Sequence, residues 1–402
     1  MSKVKSPLIF IFLTVLIDSI GIRIILPSMP TIISEVKQVS IDTAAAYGGW
    51  MMSIYAVLQL VFSPILGGLS DRFGRRPVLL FSLVGTVTNY IILSSANTIT
   101  FLFIGRIIGG ICGASLTTSF AYMADISSPE KRAKDFGLVG TAVGLGFIIG
   151  PFLGGILSQF GTRVPFIAAA ILSLINLIYG FCTIPESLKS ENRREFDIKR
   201  ANILGTFNHL KKRKTSRNYL LVLFLVYVAG QTLPAIWPFF TKLKYQWSEL
   251  QIGYSLAFVG LMIALVKGTL IKWSQEKFGS SRAIAIGLVF NLIGLALFSI
   301  ASPSWAMYLF ITIYCIGGIA PPLLQAIISS KVSSDEQGEL QGIIISLISI
   351  SNILSPLLMT TIFHYFAKSE SNIYFPGAPF LMASFIAALG LIIFGNEKKW
   401  NN

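Results

Sequence analysis

The stretch GGLSDRFGRRPVLL, residues 67–80, carries a compact group of charges between two almost uncharged regions. One carboxylate, Asp71, and three guanidinium groups, those of Arg72, Arg75 and Arg76, lie within six residues. Glycines in the same stretch permit a tight turn, which would bring the charges close together. The residue types favour ion pairing and hydrogen bonding at helix ends.

Two acidic residues further along the chain, Asp125 and Glu130, are candidate partners for Arg75 or Arg76. Such pairs would hold helix ends together in one conformation and release them in another, so we interpret the cluster as a cytoplasmic gate. The alternative is a loop whose arginines only fix membrane topology. The gate is favoured because Asp71 has no use as a topology signal.

A second set of ionisable residues lies inside apolar runs, where each charge is costly and therefore indicates a functional site. Asp18 is the carboxylate that lies well inside such a run, and it is a candidate for binding and releasing a proton. Arg23 follows five positions later, about 140° around a helix, so the two side chains do not share a face. Arg23 either faces a central cavity or extends to the membrane surface.

Arg106 and Lys267 are the other basic residues in apolar runs. Arg106 shares a helix face with Gly109, Gly110 and Gly113, and these small residues would let a neighbouring helix approach closely. Arg106 is therefore expected to face protein or a cavity. Lys267 lies near the end of its run, and we expect its side chain to extend to the membrane surface.

The elements that position these residues follow from composition. Of the 402 residues, 53% are hydrophobic and only 12% are charged, whereas soluble proteins carry about 25% charged residues. The mean hydropathy is +0.72. The net charge of +14 does not indicate nucleic acid, because no water-soluble basic domain is visible. Three cysteines, spaced for neither zinc nor disulfides, are interpreted as core residues.

A bilayer core about 30 Å thick needs about 20 helical residues to cross it. The sequence contains twelve such apolar runs, and the need to satisfy every backbone polar group in lipid makes them helices. We predict spans at residues 8–29, 48–68, 77–95, 99–122, 135–157, 163–183, 218–240, 250–271, 283–301, 304–330, 339–363 and 376–395.

Lysine and arginine counts predict the orientation. We place both termini on the same side as the loops that follow spans 2, 4, 6, 8 and 10. That side then holds 24 of the 32 basic residues, the opposite side holds five, and three lie inside spans. We therefore expect both termini in the cytoplasm, with a first span that stays attached and serves as an anchor. This distribution also explains the basic net charge without a nucleic-acid partner.

The longest polar segment divides six spans from six. It predicts an N-terminal bundle of residues 1–184, a cytoplasmic linker of 185–217 and a C-terminal bundle of 218–402. A shift of 205 residues places Phe73-Gly74 on Phe278-Gly279, and Gly137 and Pro151 on Gly342 and Pro356. The two halves therefore indicate a degenerate duplication, as in one large class of secondary transporters.

Five motifs, in order along the chain, carry a family resemblance. GGLSDRFGRRP resembles the signature loop of the major facilitator superfamily, and WSQEKFGSSR at 273–282 resembles a weakened copy of it. IDSIGIRIILPSMP at 17–30, GRIIGGICGAS at 105–115 and GLGFIIGPFLGG at 144–155 resemble the first-, fourth- and fifth-helix signatures of its drug:proton antiporters. Within the superfamily the chain is most similar to tetracycline-resistance exporters, through SDRFGRRPVLL, FGLVG, GIAPPLLQ and ELQGIIISL.

The resemblance implies an all-α integral membrane protein with twelve helices in two pseudo-symmetric bundles around a central cavity. It implies a monomer in the bacterial inner membrane that exports an amphiphilic compound by alternating access. Protons would be the coupling ion, and no cofactor or metal is expected. Asp18 would bind the proton and Arg106 would stabilise the charge of Asp18, or that of a substrate, in one conformation.

Further candidates line or shape the cavity. Polar and aromatic side chains that could contact substrate are Arg23, Gln59, Asn89, Tyr90, Arg106, Gln231, Trp237, Tyr314, Gln325 and Gln341; ordinary helix packing is an equally good explanation for each. Helix packing is expected at Gly144, Gly150, Pro151 and Gly154, where small residues recur four apart and the proline bends the helix.

One departure concerns the substrate. The resemblance implies acidic residues in spans 3 and 9, but the matching positions are the neutral Asn89 and Asn291. With three basic groups against one carboxylate in the spans, an anionic metabolite, siderophore or amphiphile is an alternative substrate. An importer of the same fold is the nearest rival function. An enzyme is excluded by the lack of a reactive group of residues.

Overall fold

The computed structural model describes residues 5–113, 115–128, 130–195, 217–333 and 336–400, and these ranges contain helices but no β-strand. Twelve helical segments within them are long and apolar enough to cross a bilayer. Each matches one predicted span to within several residues, which confirms the all-α membrane fold. We number the spans 1–12 in chain order.

Eight α-helices make up the described part of the first six spans and their connections. They are α1 Lys5–Ile24, α2 Met29–Lys37, α3 Ile41–Phe73, α4 Arg75–Ser95, α5 Ile99–Cys112, α6 Ser115–Ile126, α7 Arg132–Leu157 and α8 Val164–Thr183. Span 4 is formed by α5 and α6 together.

Nine further α-helices make up the described part of the last six spans. They are α9 Arg217–Gly230, α10 Thr232–Tyr245, α11 Glu249–Leu265, α12 Ile271–Phe278, α13 Ser280–Ile300, α14 Ala306–Ile316, α15 Ala320–Ser330, α16 Gln337–Ala367 and α17 Ala378–Trp400. A π-helical turn, Val266–Leu270, joins α11 to α12, and a 3₁₀ turn, Gly317–Ile319, joins α14 to α15.

The first span is shorter than predicted. We expected it to continue to residue 29, but α1 ends at Ile24 and the chain turns before the short helix α2 begins at Met29. Pro30 lies in the first turn of α2, where its missing N–H costs nothing. Gln38, with φ of 55°, ends α2 in the left-handed conformation.

Contacts divide the chain into two compact units. Of the described residues, the first unit takes those within Met1–Val39, Ile54–Asn202 and Trp247–Ala257, and the second takes those within Ser40–Ser53, Ile203–Gln246 and Phe258–Asn402. The beginning of α3, from the first half of the sequence, thus belongs to the second unit. The beginning of α11, from the second half, belongs to the first unit. Of the predicted linker, residues 196–216 lie outside the described residues, and the predicted domain boundaries remain a prediction.

In the first unit, α1 packs closely on α7. A Cβ atom on Gly150 would contact the backbone of Ile20, and one on Gly154 would overlap the carbonyl group of Ile24. These two glycines therefore let the helices approach as expected. Gly144 is different, because a Cβ there would meet open space among the described residues. The packing role expected of Gly144 is not found, since it lies on a different face of α7.

Pro151 lies inside α7, and its carbonyl oxygen lies beside Gly253 of α11. One turn further along α7, Gly155 also lies close to Gly253, and a Cβ atom on either glycine would contact the backbone of the other. A Cβ on either residue would force the two backbones apart. Gly155 and Gly253 therefore fix the beginning of α11 in the first unit.

In the second unit, aromatic rings fill the space between α10, α13 and α17. Trp237 is fully buried, with its ring 5.1 Å from that of Phe298 and 6.3 Å from that of Phe380. The beginning of α3 joins this unit through Asp42, whose Oδ2 lies 3.0 Å from Nδ1 of His364 on α16. Burial of Asp42 makes this polar contact a specific anchor for the end of α3.

Two pairs of residues related by the 205-residue shift have similar backbone settings. Gly74 before α4 has φ of +106°, and Gly279 before α13 has φ of +74°. Both glycines therefore use a conformation that L-residues rarely adopt, at corresponding places of the two halves. Pro151 and Pro356, another pair related by the 205-residue shift, both lie inside long helices.

Candidate functional site

The first unit contains a small polar cavity of about 70 Å³. It lies among α1, α3, α4, α5 and α6, so residues far apart in the sequence meet there. Its polar lining consists of Asp18, Ser19, Tyr55, Gln59, Thr86, Asn89, Tyr90, Arg106 and Ser115. Four residues that the sequence predicted as substrate contacts, and the predicted proton-coupling residue, are therefore brought together.

Asp18 is held from one side only. Its Oδ2 accepts a hydrogen bond from Ser115 Oγ at 2.5 Å, while its Oδ1 is buried and has no hydrogen-bond partner. Asp18 also forms no ion pair with a described residue, although Arg106 lines the same cavity. A buried carboxyl with one unpartnered oxygen can hold a proton there or exchange it with a ligand.

The two arginines of this unit have different surroundings. Arg106 lines the cavity, and one of its Nη atoms lies 3.9 Å from the sulfur of Met29. Arg23 instead donates to the carbonyl oxygen of Ser19 at 3.0 Å, and its guanidinium lies 4.1 Å from the ring centre of Phe147. Arg106 is thus available to a ligand, whereas Arg23 is held against α7 and does not line the cavity.

Small residues position the cavity walls. Gly109 leaves room for the side chain of Asn89, and Gly21 leaves room for the ring of Tyr90. Gln59 donates to the carbonyl oxygen of Gly113 at 3.0 Å, where α5 ends. A side chain on any of these glycines would overlap a cavity residue. The helix face that carries Arg106, Gly109 and Gly110 was predicted to be close-packed. In the structure Gly110 lies against α3 and Gly109 against α4.

The second unit contains a larger cavity of about 380 Å³, among α9, α11, α13, α14 and α15. Tyr314 and Gln325, both predicted substrate contacts, line it. Gln325 Nε2 donates to the hydroxyl oxygen of Tyr227 at 2.5 Å, and the hydroxyl of Tyr314 lies 3.5 Å from the carbonyl oxygen of Gly230. The cavity thus has an aromatic and amide lining with one internal hydrogen-bonded pair.

The charged stretch at residues 71–76 forms a compact network in the first unit. Arg75 is its centre, with Nη1 2.5 Å from Asp71 Oδ1 and Nε 3.1 Å from Asp125 Oδ2. Arg75 Nη1 also donates to Ser70 Oγ at 2.6 Å. The side chain of Arg75 is 11% exposed, so these bonds are partly shielded from water. The network ties the ends of spans 2, 3 and 4 together.

The other predicted members of this cluster lie at its edge. Arg76 donates to the carbonyl oxygen of Phe181 at 2.8 Å, and the guanidinium of Arg72 lies 5.1 Å from the ring centre of Phe73. Glu130 forms no ion pair with Arg75 or Arg76 in this conformation of the described residues. Hydrogen bonds from its own backbone N–H and from Ser128 hold the pKa of Glu130 below its usual range.

Sequence comparison identifies the family. The sequence model of the Major Facilitator Superfamily matches residues 11–356, and again 269–399. The chain belongs to the major facilitator superfamily. Tetracycline resistance protein, class C, of Escherichia coli is 36% identical to it, over 90% of each chain. Multidrug resistance protein 2 of Bacillus subtilis (strain 168) is 28% identical, over 98% of this chain and 96% of the relative.

Solved structures agree with the superfamily fold. A crystal structure of the nucleoside transporter NupG superposes with a TM-score of 0.80, over 98% of this chain and 100% of that one, at 14% identity. The protein is therefore a multi-pass membrane transporter of the superfamily, related to tetracycline resistance and multidrug resistance proteins, and not an enzyme.

Besides Arg23, three more of the predicted substrate contacts in this superfamily member line neither cavity. Trp237 is fully buried among Phe298 and Phe380, so in this conformation it is a packing residue, and the prediction for it is corrected. Gln231 lies at the break between α9 and α10, and Gln341 is exposed near the beginning of α16. Neither glutamine lines the cavity of its unit.

Sequence reasoning missed several residues. Ser115, the partner of Asp18, is one serine among many, and no spacing rule distinguishes it. Glu186 accepts hydrogen bonds from the backbone N–H groups of Arg75 and Arg76, at 2.8 Å and 3.2 Å, and so caps α4 from outside that helix. A carboxylate just after span 6 was the available signal. Lys267 was interpreted as a surface lysine; it is exposed, and it also lines the cavity of the second unit, which the sequence did not predict.

Proposed function

We propose that the protein is a proton-coupled exporter that carries a small amphiphilic compound across the bacterial inner membrane by alternating access. The observation that carries this proposal is the state of Asp18, a buried carboxyl in a cavity, with one hydrogen-bonded and one unpartnered oxygen. An ionisable group costs free energy in this position, so its presence indicates a role in transport.

The proposed coupling step takes place in the first unit's cavity. Asp18 holds the transported proton, and the hydroxyl of Ser115 orients its carboxyl group. Arg106 moves closer when the transporter changes conformation and stabilises the carboxylate after the proton leaves. Burial favours the neutral carboxyl and a nearby cation favours the charged one, so proton affinity would differ between the two conformations.

The network around Arg75 is proposed to act as the gate of this cycle. Its bonds to Asp71 and Asp125 stabilise the arrangement of helix ends seen in this structure. A state with the other opening would need those bonds to rearrange. The gate therefore sets the rate of the conformational change, while the cavities set which compound is bound.

The proposed substrate class rests on cavity lining and on relatives. Aromatic and amide side chains of both cavities suit amphiphilic compounds. The relatives' names include tetracycline resistance and multidrug resistance, so tetracycline-like drugs are included. Both Asn89 and Asn291 are buried and neutral, at positions where acidic residues would suit a cation. Tetracycline is therefore one member of a panel and not the assumed substrate.

Orientation and assembly complete the proposal. The excess of basic residues in alternate loops supports cytoplasmic termini. Each cavity is built within one chain, which supports a functional monomer. The bacterial origin of the relatives supports an inner-membrane location.

Inside-out vesicles from bacteria that express the protein provide the test. A panel of tetracycline, the cation ethidium, the anion salicylate and a neutral dye is offered outside, and an acid-lumen proton gradient is imposed. We expect at least one compound to accumulate and to leak out when a protonophore collapses the gradient. Transport that ignores the gradient would contradict proton coupling. In vesicles preloaded with the same panel, gradient-driven movement only out of the vesicles would indicate an importer.

A further inference from the structure

Lys267 lies on an interruption of span 8. The π-helical turn Val266–Leu270 separates α11 from α12, and Lys267 is its second residue. One extra residue in a turn changes the direction of the side chains around it, and such turns are frequent at functional sites. Here the turn places Lys267 on the wall of the second unit's cavity.

A second interruption faces the first. In span 10 the 3₁₀ turn Gly317–Ile319 is followed by Pro321 and Pro322, neither of which has a backbone N–H. The carbonyl group of Gly318 therefore lacks its helical donors at both i+3 and i+4. The nearest atom to a Cβ placed on Gly318 is Cγ1 of Val266, 3.9 Å away, so the two irregular turns lie side by side. Interrupted helices that face each other are typical of substrate sites in transporters.

Other polar groups line the same cavity as Lys267. Asn291 is only 6% exposed, and its Oδ1 has no hydrogen-bond partner. The hydroxyl oxygen of Tyr227 already accepts from Gln325, so its hydrogen remains available to a ligand. Among the described residues, none of those that line the cavity is acidic, and Lys267 has no ion pair.

We propose that this cavity binds an organic anion that also carries a hydroxyl group. Lys267 and the Tyr227 hydroxyl donate to the carboxylate of the ligand. Asn291 Oδ1 accepts from its hydroxyl group, and the carbonyl oxygen of Gly318 is the alternative acceptor for that single hydrogen. The proposal deepens the proposed function and rests on it, because it names the substrate class of the transporter. The anion is a free organic acid, and a lipid headgroup is the competing source of negative charge.

Salicylate is the probe, because it carries a carboxylate and a neighbouring hydroxyl group on one aromatic ring. Calorimetric titration of the purified, detergent-solubilised protein measures its Kd without any proton gradient. We expect Lys267→Met to weaken binding by roughly tenfold or more and Lys267→Arg to retain most of it. Salicylamide is similar in size but lacks the carboxylate. Its Kd for the wild-type protein should be at least as high as the Kd of salicylate for Lys267→Met.

Lys272→Met is the matched control, since Lys272 is an exposed lysine five positions along the same span and outside the cavity. Its Kd for salicylate should equal that of the wild-type protein. Tyr227→Phe is a second variant that keeps the ring, and it should weaken binding several-fold even if Lys267→Met fails to fold. Equal affinity of wild-type protein, Lys267→Met and Tyr227→Phe, or no binding by the wild-type protein, would overturn the proposal.

Three further outcomes separate the alternatives. Displacement of salicylate by phosphatidylglycerol, but not by phosphatidylcholine, would overturn the free-acid assignment in favour of a lipid headgroup. Salicylate binding could depend on Lys267 while vesicle transport ignores the proton gradient. That result would support the anion site and contradict the proposed proton coupling. Gradient-driven transport of other panel compounds without salicylate binding would contradict the anion site alone.

Discussion

Oδ2 of Asp18 and Oγ of Ser115 lie 2.5 Å apart, although the two residues are 97 positions apart in the sequence. This hydrogen bond joins α1 to the beginning of α6 and leaves Oδ1 of Asp18 without a partner. The carboxyl group is thereby oriented, and one of its oxygens remains free for a proton. The proposed coupling depends on this asymmetry.

Asp18→Asn should reduce proton-driven transport to below roughly a tenth of the wild-type rate, because the amide keeps the shape but cannot carry a proton. Ser115→Ala should give a smaller loss, since it removes only the orienting bond. Asp135→Asn is the matched control: Asp135 also accepts from a serine, Ser127 at 2.8 Å, but lies outside the cavity. Gradient-driven uptake into vesicles measures all three. Unchanged flux in Asp18→Asn would remove Asp18 from the mechanism.

Arg75→Gln and Asp71→Asn should change the transport rate by about two- to tenfold, the range expected for partly exposed ion pairs. Substrate affinity in detergent should stay the same, because the network lies outside both cavities. Arg72→Gln is the control, since its guanidinium lies over Phe73 and outside the network. Rates come from vesicle uptake and affinities from titration. A large affinity loss in Arg75→Gln would argue for a binding role instead.

Glu186→Ala should lower the stability of the detergent-solubilised protein by about 1 kcal/mol. Glu186 accepts from two backbone N–H groups at the beginning of α4, where a negative charge is also favoured. Glu191→Ala removes an exposed carboxylate of the neighbouring 3₁₀ turn and should have no effect. Thermal unfolding midpoints report the difference. Equal midpoints for the two variants would show that Glu186 does not stabilise α4.

Gly154→Ala should destabilise the protein by about 1–3 kcal/mol, because the added methyl group would overlap the backbone of Ile24. Gly144→Ala, ten positions earlier on the same helix, should be neutral or slightly stabilising, since open space surrounds it and alanine favours helix. Expression yield and thermal midpoint measure both. A reversed order of the two variants would mean that α7 does not pack on α1 through this face.

Local sequence properties determined much of this protein. Apolar length alone predicted twelve spans, and the first span was misjudged at only one end because Pro27 and Pro30 interrupt a run that stays apolar. The 205-residue shift identified the duplication, and Gly74 and Gly279 both adopt positive φ. Asp18 and the Arg75 network were recognisable because charges in apolar surroundings are rare and costly.

Tertiary structure alone decided which residues meet. Ser115 reached Asp18, and Glu186 reached the beginning of α4, across 97 and 110 or more positions, and no local pattern encodes such pairings. Trp237 was predicted as a cavity residue but is buried by Phe298 and Phe380, because the face a helix buries depends on its neighbours. Lys267 is exposed, but its place on a cavity wall, in a π turn, was not predicted. Hydropathy is a property of each segment by itself, whereas contacts depend on how the segments pack. The spans could therefore be predicted from the sequence, and the contacts could not.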